Sequence, residues 1–167
     1  MRHMNLKLVV ALLAAALAVS LVVLVPAAAG RGRTIMEFNT MASVTGPYVG
    51  SSNPIRGING GGLPWSIDGA NGELQANGHL EVEVHGLVLA AGPLSGTNPI
   101  ANFRAVVSCM SISNGAATTV NVSTGLFPAT TTGDAKIEAS VALPSPCIAP
   151  IVFVTSPTGA WFAATGN

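Results

Sequence analysis

The stretch GELQANGHLEVEVHGLVL, residues 72–89, decides the fold. Leu74, Leu80, Val82 and Val84 alternate with Glu73, Gln75, His79, Glu81, Glu83 and His85. A period of two marks a strand pair with one face buried and the other in water. Parity then selects the turn. A two-residue Asn77-Gly78 loop would set Leu74 opposite Glu81 on one face. A three-residue loop, Ala76-Asn77-Gly78, sets Leu74 opposite Leu80 and Glu73 opposite Glu81. A one-residue slip would move a whole apolar row into water, so the three-residue loop is expected, with Gly78 left-handed in a bulge.

Outward from the hairpin the same texture continues. Residues 34–44, TIMEFNTMASV, carry β-branched and aromatic side chains without helix caps and read as one or two strands. Residues 46–64, GPYVGSSNPIRGINGGGLP, form a long irregular loop, and 92–99, GPLSGTNP, a second one. Trp65-Ser66-Ile67 is a short strand entering an Asp68-Gly69 turn. Phe103, Ala105, Val107 and Cys109 share one face of a strand over 103–111, Asn114-Gly115 turns it, and 118–122 returns. Ala135, Ile137, Ala139, Val141 and Leu143 alternate with polar residues, and residues 151–155 are a buried apolar run. A last hairpin, turned at 156–159, ends on Trp161 and Phe162. Those two are adjacent, so one of them faces away from the interior and lies near the surface or under a loop. Eight or nine short strands with no amphipathic helix predict an all-β chain: a single antiparallel β-sandwich over residues 30–167, with a barrel as the alternative.

The first 29 of the 167 residues read as a signal peptide. Arg2, His3 and Lys7 precede an uncharged apolar run over 8–25, Pro26 breaks it, and Ala27-Ala28-Ala29 offers small residues for cleavage. A retained membrane anchor is the competing reading, because about 18 apolar residues approach the length of a span. The expected location is secreted, periplasmic or cell-surface, with no membrane span once the leader is removed. Charged residues make up only 8% of the chain, against a usual share of about 25%. Past residue 29, five basic side chains face seven acidic ones. That excludes an electrostatic footprint for nucleic acid and a polybasic patch for anionic lipid. In an oxidising compartment the two cysteines, Cys109 and Cys147, are expected to form a disulfide.

The polar face of the hairpin offers His79, Glu81, Glu83 and His85 as candidate metal ligands. Neighbours two apart stand about 7 Å from each other at their bases and could share an ion; His79 and His85, roughly 20 Å apart along the strand, could not. Glu73 opposite Glu81 is a like-charge pair that a cation would relieve. The plainer reading is a solvated strand face. Carboxylate pairs such as Glu81 and Glu83 have no spacing that fixes a glycosidase cleft. There is no nucleophile elbow, and the triple glycine 60–62 lacks the lysine of a phosphate loop. No cofactor motif is present, and no enzyme activity is expected. Arg56 could contact an anion. Trp65 and Trp161, with Tyr48, could stack on a sugar if exposed, although aromatics in apolar strands usually belong to the core.

The phrases RGINGGGLPW (56–65), GELQANGHLEVEVHGLVL (72–89) and LPSPCIAPIVFVTSPTGAWFA (143–163) resemble a group of small exported bacterial β-rich proteins of unknown function. The resemblance spans nearly all of the chain after the leader and implies no activity and no site residues. The hairpin is also similar to secreted chordin-type and superoxide-dismutase-like β-sandwich domains. Those carry a His-x-His pair after the Gly-Leu of this strand; here Gly86-Leu87 runs into Val88-Leu89-Ala90, so their metal chemistry is not implied. The expected function is a non-enzymatic binding or structural module that meets an extracellular protein or glycan through loops 46–64 and 92–99. The alternatives are a metal-binding protein using the polar hairpin face, and a carbohydrate-binding module.

Overall fold

A computed structural model describes residues 32–166; the leader expected over residues 1–29 lies outside the described residues. Twelve strands follow one another: β1 (Thr34–Phe38), β2 (Ala42–Ser43), β3 (Trp65–Ser66), β4 (Gly69–Gln75), β5 (His79–His85), β6 (Val88–Leu89), β7 (Asn102–Ser113), β8 (Ala116–Ser123), β9 (Phe127–Pro128), β10 (Ala135–Ser140), β11 (Ile148–Thr155) and β12 (Trp161–Ala164). Eight have four or more residues and four are two-residue pairings; of the short ones, β2 and β3 fall in expected strands and β6 and β9 are additions. A 3₁₀ turn, Gly46–Tyr48, interrupts them.

β4 and β5 pair with Glu73 opposite Glu81 and Leu74 opposite Leu80, the register that parity demanded. Gly78 has φ +89° and its amide closes the turn onto the Gln75 carbonyl at 2.9 Å. β1 joins the free edge of β4, and β10 the free edge of β5, giving a four-stranded antiparallel sheet in the order β1-β4-β5-β10. The second sheet runs β2-β12-β11-β7-β8, with β9 continuing the β8 edge of β7. β3 and β6 form a small pair of their own. The sheets are not closed into a barrel; the chain is an open all-β sandwich. Asn114 and Gly115 both take positive φ, 50° and 77°, the geometry of a tight two-residue hairpin turn between β7 and β8.

The core lies between the sheets. Leu74, Leu80, Val82, Val84 and Ile137 face Phe103, Ala105, Val107, Val152 and Val154, all fully buried or nearly so. Apart from Ala105, each such side chain contributes about 1.5–3 kcal/mol relative to exposure. Trp65 stacks on Phe162 with ring centres 4.0 Å apart, and Phe103 meets both rings edge-on. Cys109 and Cys147 are bridged with Cα atoms 4.9 Å apart, tying β7 to the start of β11, where Ile148 pairs with Met110. The bridge is compatible with an oxidising, extracellular setting. No helix among the described residues is long and apolar enough to cross a membrane.

Two expectations need correction. Gln75, read as a wet-face residue, is buried beside Thr34; its amide is satisfied by donating to Glu73 Oε1 at 2.7 Å. Ala139, read as core, is only half-buried near the end of edge strand β10. The adjacent pair Trp161 and Phe162 divides as expected: both are buried, Phe162 in the interior and Trp161 facing away from it under a loop. A register shift between β11 and β12 lies beside Phe162. Phe162 packs inward against Trp65 and Phe103, while Trp161 meets Phe153 and Tyr48.

The cover over Trp161 is loop 46–64. Its backbone runs alongside β12: Gly61 N–H donates to Trp161 O and Trp161 N–H to Asn59 O, at 2.8 and 2.9 Å. Gly50 exchanges backbone bonds with Gly60 and Gly61. A β-carbon on Gly60 would strike the Tyr48 carbonyl oxygen, and one on Gly61 would press on the Phe162 and Trp65 rings. Gly60 and Gly61 are therefore a close-packed crossing, and Gly62 beside them is open to solvent.

Candidate functional site

The polar side chains of the hairpin lie on the outer face of the four-stranded sheet, where strand alternation puts them. The registers line up Glu37, Glu73, Glu81 and Glu138 in one row across β1, β4, β5 and β10. Glu83 stands in the next row, between Asn71 and Lys136. All five glutamates of the chain thus share one sheet face. A shallow groove of about 350 Å³ runs over it, lined by Glu37, Glu73, Glu81 and Glu83 with Asn39 and Asn71.

Neighbours hold these side chains differently. Glu73 accepts hydrogen bonds from Gln75 Nε2 and, at 3.3 Å, from Thr34 Oγ1. Glu83 pairs with Lys136 at 3.2 Å; that hydrogen bond and the carboxylate charge raise the lysine pKa. His85 Nδ1 lies 3.6 Å from Asp134 Oδ1. The Asp134 carboxylate also accepts from Thr132 Oγ1 at 2.7 Å, from Thr130 Oγ1 and from the Gly86 amide. Chiefly the Thr132 bond, then the Gly86 amide, hold its pKa below the ordinary aspartate range.

Of the four expected ligands, the structure brings two together. His79 Nε2 and Glu81 Oε1 are 3.1 Å apart. Glu83 is paired with Lys136, and His85 lies beside Asp134. The carboxylate that joins His79 and Glu81 is Glu138, from β10, rather than Glu73: the three ligand atoms all lie within 4.8 Å of one another. Sequence reading missed Glu138 because it is 57 positions from Glu81 and only the β5–β10 register sets them opposite. The signal available was the clean alternation over 135–143, which marked a strand without naming its neighbour.

The other candidates are engaged within the fold. Arg56, in a left-handed backbone at φ +50°, donates from Nη1 to the Ser108 carbonyl at 2.9 Å and from Nη2 to the Ala149 carbonyl at 2.7 Å. Its guanidinium clasps loop 46–64 to β7 and β11, which leaves the expected anion contact without its principal donors. Trp65 and Trp161 are buried, so the expected sugar platform keeps only Tyr48 at the surface. At the junction of the two long loops, Ala90 N–H donates to Pro64 O at 2.9 Å. There Leu63 approaches the Gly92 backbone, and Leu63 and Leu94 are 42% and 53% exposed. No family model, no curated protein and no solved structure matches the chain.

Proposed function

We propose that this protein is an exported, non-enzymatic binding module that meets an extracellular protein at the junction of loops 46–64 and 92–99. The observation that carries it is the exposure of Leu63 and Leu94 on backbone that hydrogen bonds hold in place: Ala90 to Pro64, Gly96 to Leu89, and Leu89 to Thr97. Large aliphatic side chains on a pre-ordered loop lose little entropy on docking and suit the apolar centre of a protein contact. They offer nothing on which a sugar ring could stack, and with both tryptophans buried the glycan reading is the weaker one. A photoactivatable side chain at position 94, exposed to the cells that make the protein, is expected to crosslink one dominant protein species. Leu63→Ser should suppress that product and the same group at Thr132 should not give it. Crosslinking that is equal from both positions removes the proposal.

A second reading, a divalent-cation site, is favoured by the approach of His79, Glu81 and Glu138. Ligand atoms around a tetrahedral zinc stand about 3.3 Å apart, given bonds near 2.0–2.1 Å. His79 and Glu81 already have that spacing, and small side-chain rotations would bring Glu138 to it. Zinc titrated by calorimetry is expected to bind one-to-one, to be lost in His79→Ala and to be kept in His85→Ala. Equal binding by both variants would exclude this seat.

A further inference from the structure

Among the described residues the two main sheets end on β1, β10, β2 and β8, and three of these four carry devices that discourage pairing with another chain. β1 contains Glu37 and a register break between Thr34 and Met36. β2 is two residues long. β10 carries Lys136 and Glu138 and ends shortly before Pro144. Charge, irregularity and brevity are the usual protections of an edge. β8, AATTVNVS, has none of them. It spans eight residues with no charge and no proline, and its pairing with β7 is unbroken from Ser113–Ala116 to Val106–Ser123.

The hairpin turn shows which backbone groups are free. In a two-residue turn the closing pair, Ser113 and Ala116, is hydrogen-bonded, and bonded pairs then alternate. Ala116, Thr118, Val120 and Val122 are therefore bonded to β7, while Ala117, Thr119, Asn121 and Ser123 direct their N–H and C=O groups outward. We infer that this edge pairs antiparallel with β8 of a second copy, about a two-fold axis at Val120, to make one continuous sheet across a homodimer. Thr119 of each copy then faces Asn121 of the other and Ala117 faces Ser123, giving about eight backbone hydrogen bonds. No charged side chain lies on either strand to oppose the match.

Two exposed apolar side chains favour a second copy over an unrelated strand. Ile112, 57% exposed, sits on β7 opposite Ala117, beside one end of β8. Leu126, 47% exposed, follows the other end. Antiparallel two-fold pairing brings the Ala117 end of one copy to the Ser123 end of its partner, so Ile112 and Leu126 meet at the same end of the seam twice over. This isologous arrangement closes on itself and leaves no free β8 edge for further growth.

The strands and core of the described residues lie between Thr34 and Ala164, and residues 30–167, which carry them and the β8 edge, are used for the test. Sedimentation velocity at about 50 μM is expected to give a dimer for this chain and a monomer for Thr119→Lys, which sets two new charges close together at the seam. Thr119→Pro, which removes only an outward-facing N–H, should also give a monomer. Unchanged far-ultraviolet circular dichroism confirms that each variant is folded. A monomeric parent chain, or a dimer that survives both folded variants, overturns the inference.

Discussion

Gly78 and Val141 are locked together at the tip of the central hairpin: Val141 N–H donates to the Gly78 carbonyl oxygen at 2.9 Å, while the Val141 carbonyl oxygen occupies the place where a β-carbon on Gly78 would stand. Gly78 also has φ +89°, so this position needs glycine both for its backbone angle and for the approach of the chain that follows β10.

Gly78→Ala is expected to destabilise the protein by at least about 2 kcal/mol, from left-handed strain plus displacement of Val141. Gly96→Ala separates the two causes. Gly96 has a similar φ of +81° but open space around it, so that variant should lose only about 1 kcal/mol. Urea unfolding of both variants checks the difference, and equal losses would show that the clash at Val141 is relieved without cost.

Reducing the Cys109–Cys147 bridge, which closes a separation of 38 residues, should lower stability by about 4 kcal/mol in the chain-entropy account. Denaturant midpoints with and without reductant measure it. A shift near zero would mean that the core holds β7 to β11 unaided.

Asp134 gives a pH signature. Its pKa is lowered in the folded protein, so its stabilising contribution is fully present above the unfolded value, about 3.9. The contribution is lost as pH falls through the lower folded value. Asp134→Asn should therefore be less stable than the parent at pH 6, and the gap should narrow as pH falls below about 4 toward 2. A gap that stays constant over that range would contradict the hydrogen-bond assignment to Thr132 and Gly86.

Glu138→Gln should act in opposite directions in two assays. Without metal it removes one like charge from opposite Glu81 and is expected to stabilise by a few tenths of a kcal/mol at low salt, an effect that fades by about 1 M salt. With zinc it removes a ligand and should weaken binding. Thermal melts at two salt concentrations and zinc calorimetry test the pair of signs, and the same sign in both would separate the glutamate row from the cation seat.

The chain by itself determined what is local. Alternation along 72–85 specified both faces of the hairpin, and parity specified its three-residue turn, because the strand pleat has a period of two and a slip by one residue exposes a whole apolar row. Two cysteines among weakly charged strands likewise announced their bridge. Only the tertiary structure decided which strands distant in the chain lie beside one another. Glu138 reaches His79 and Glu81 because β10 docks on β5. Trp161 is buried because loop 46–64, clasped by Arg56 to Ser108 and Ala149, folds over the outer side of the second sheet. No local period encodes such neighbours: they follow from how two sheets and their long connections share one core, which fixes contacts between residues tens of positions apart.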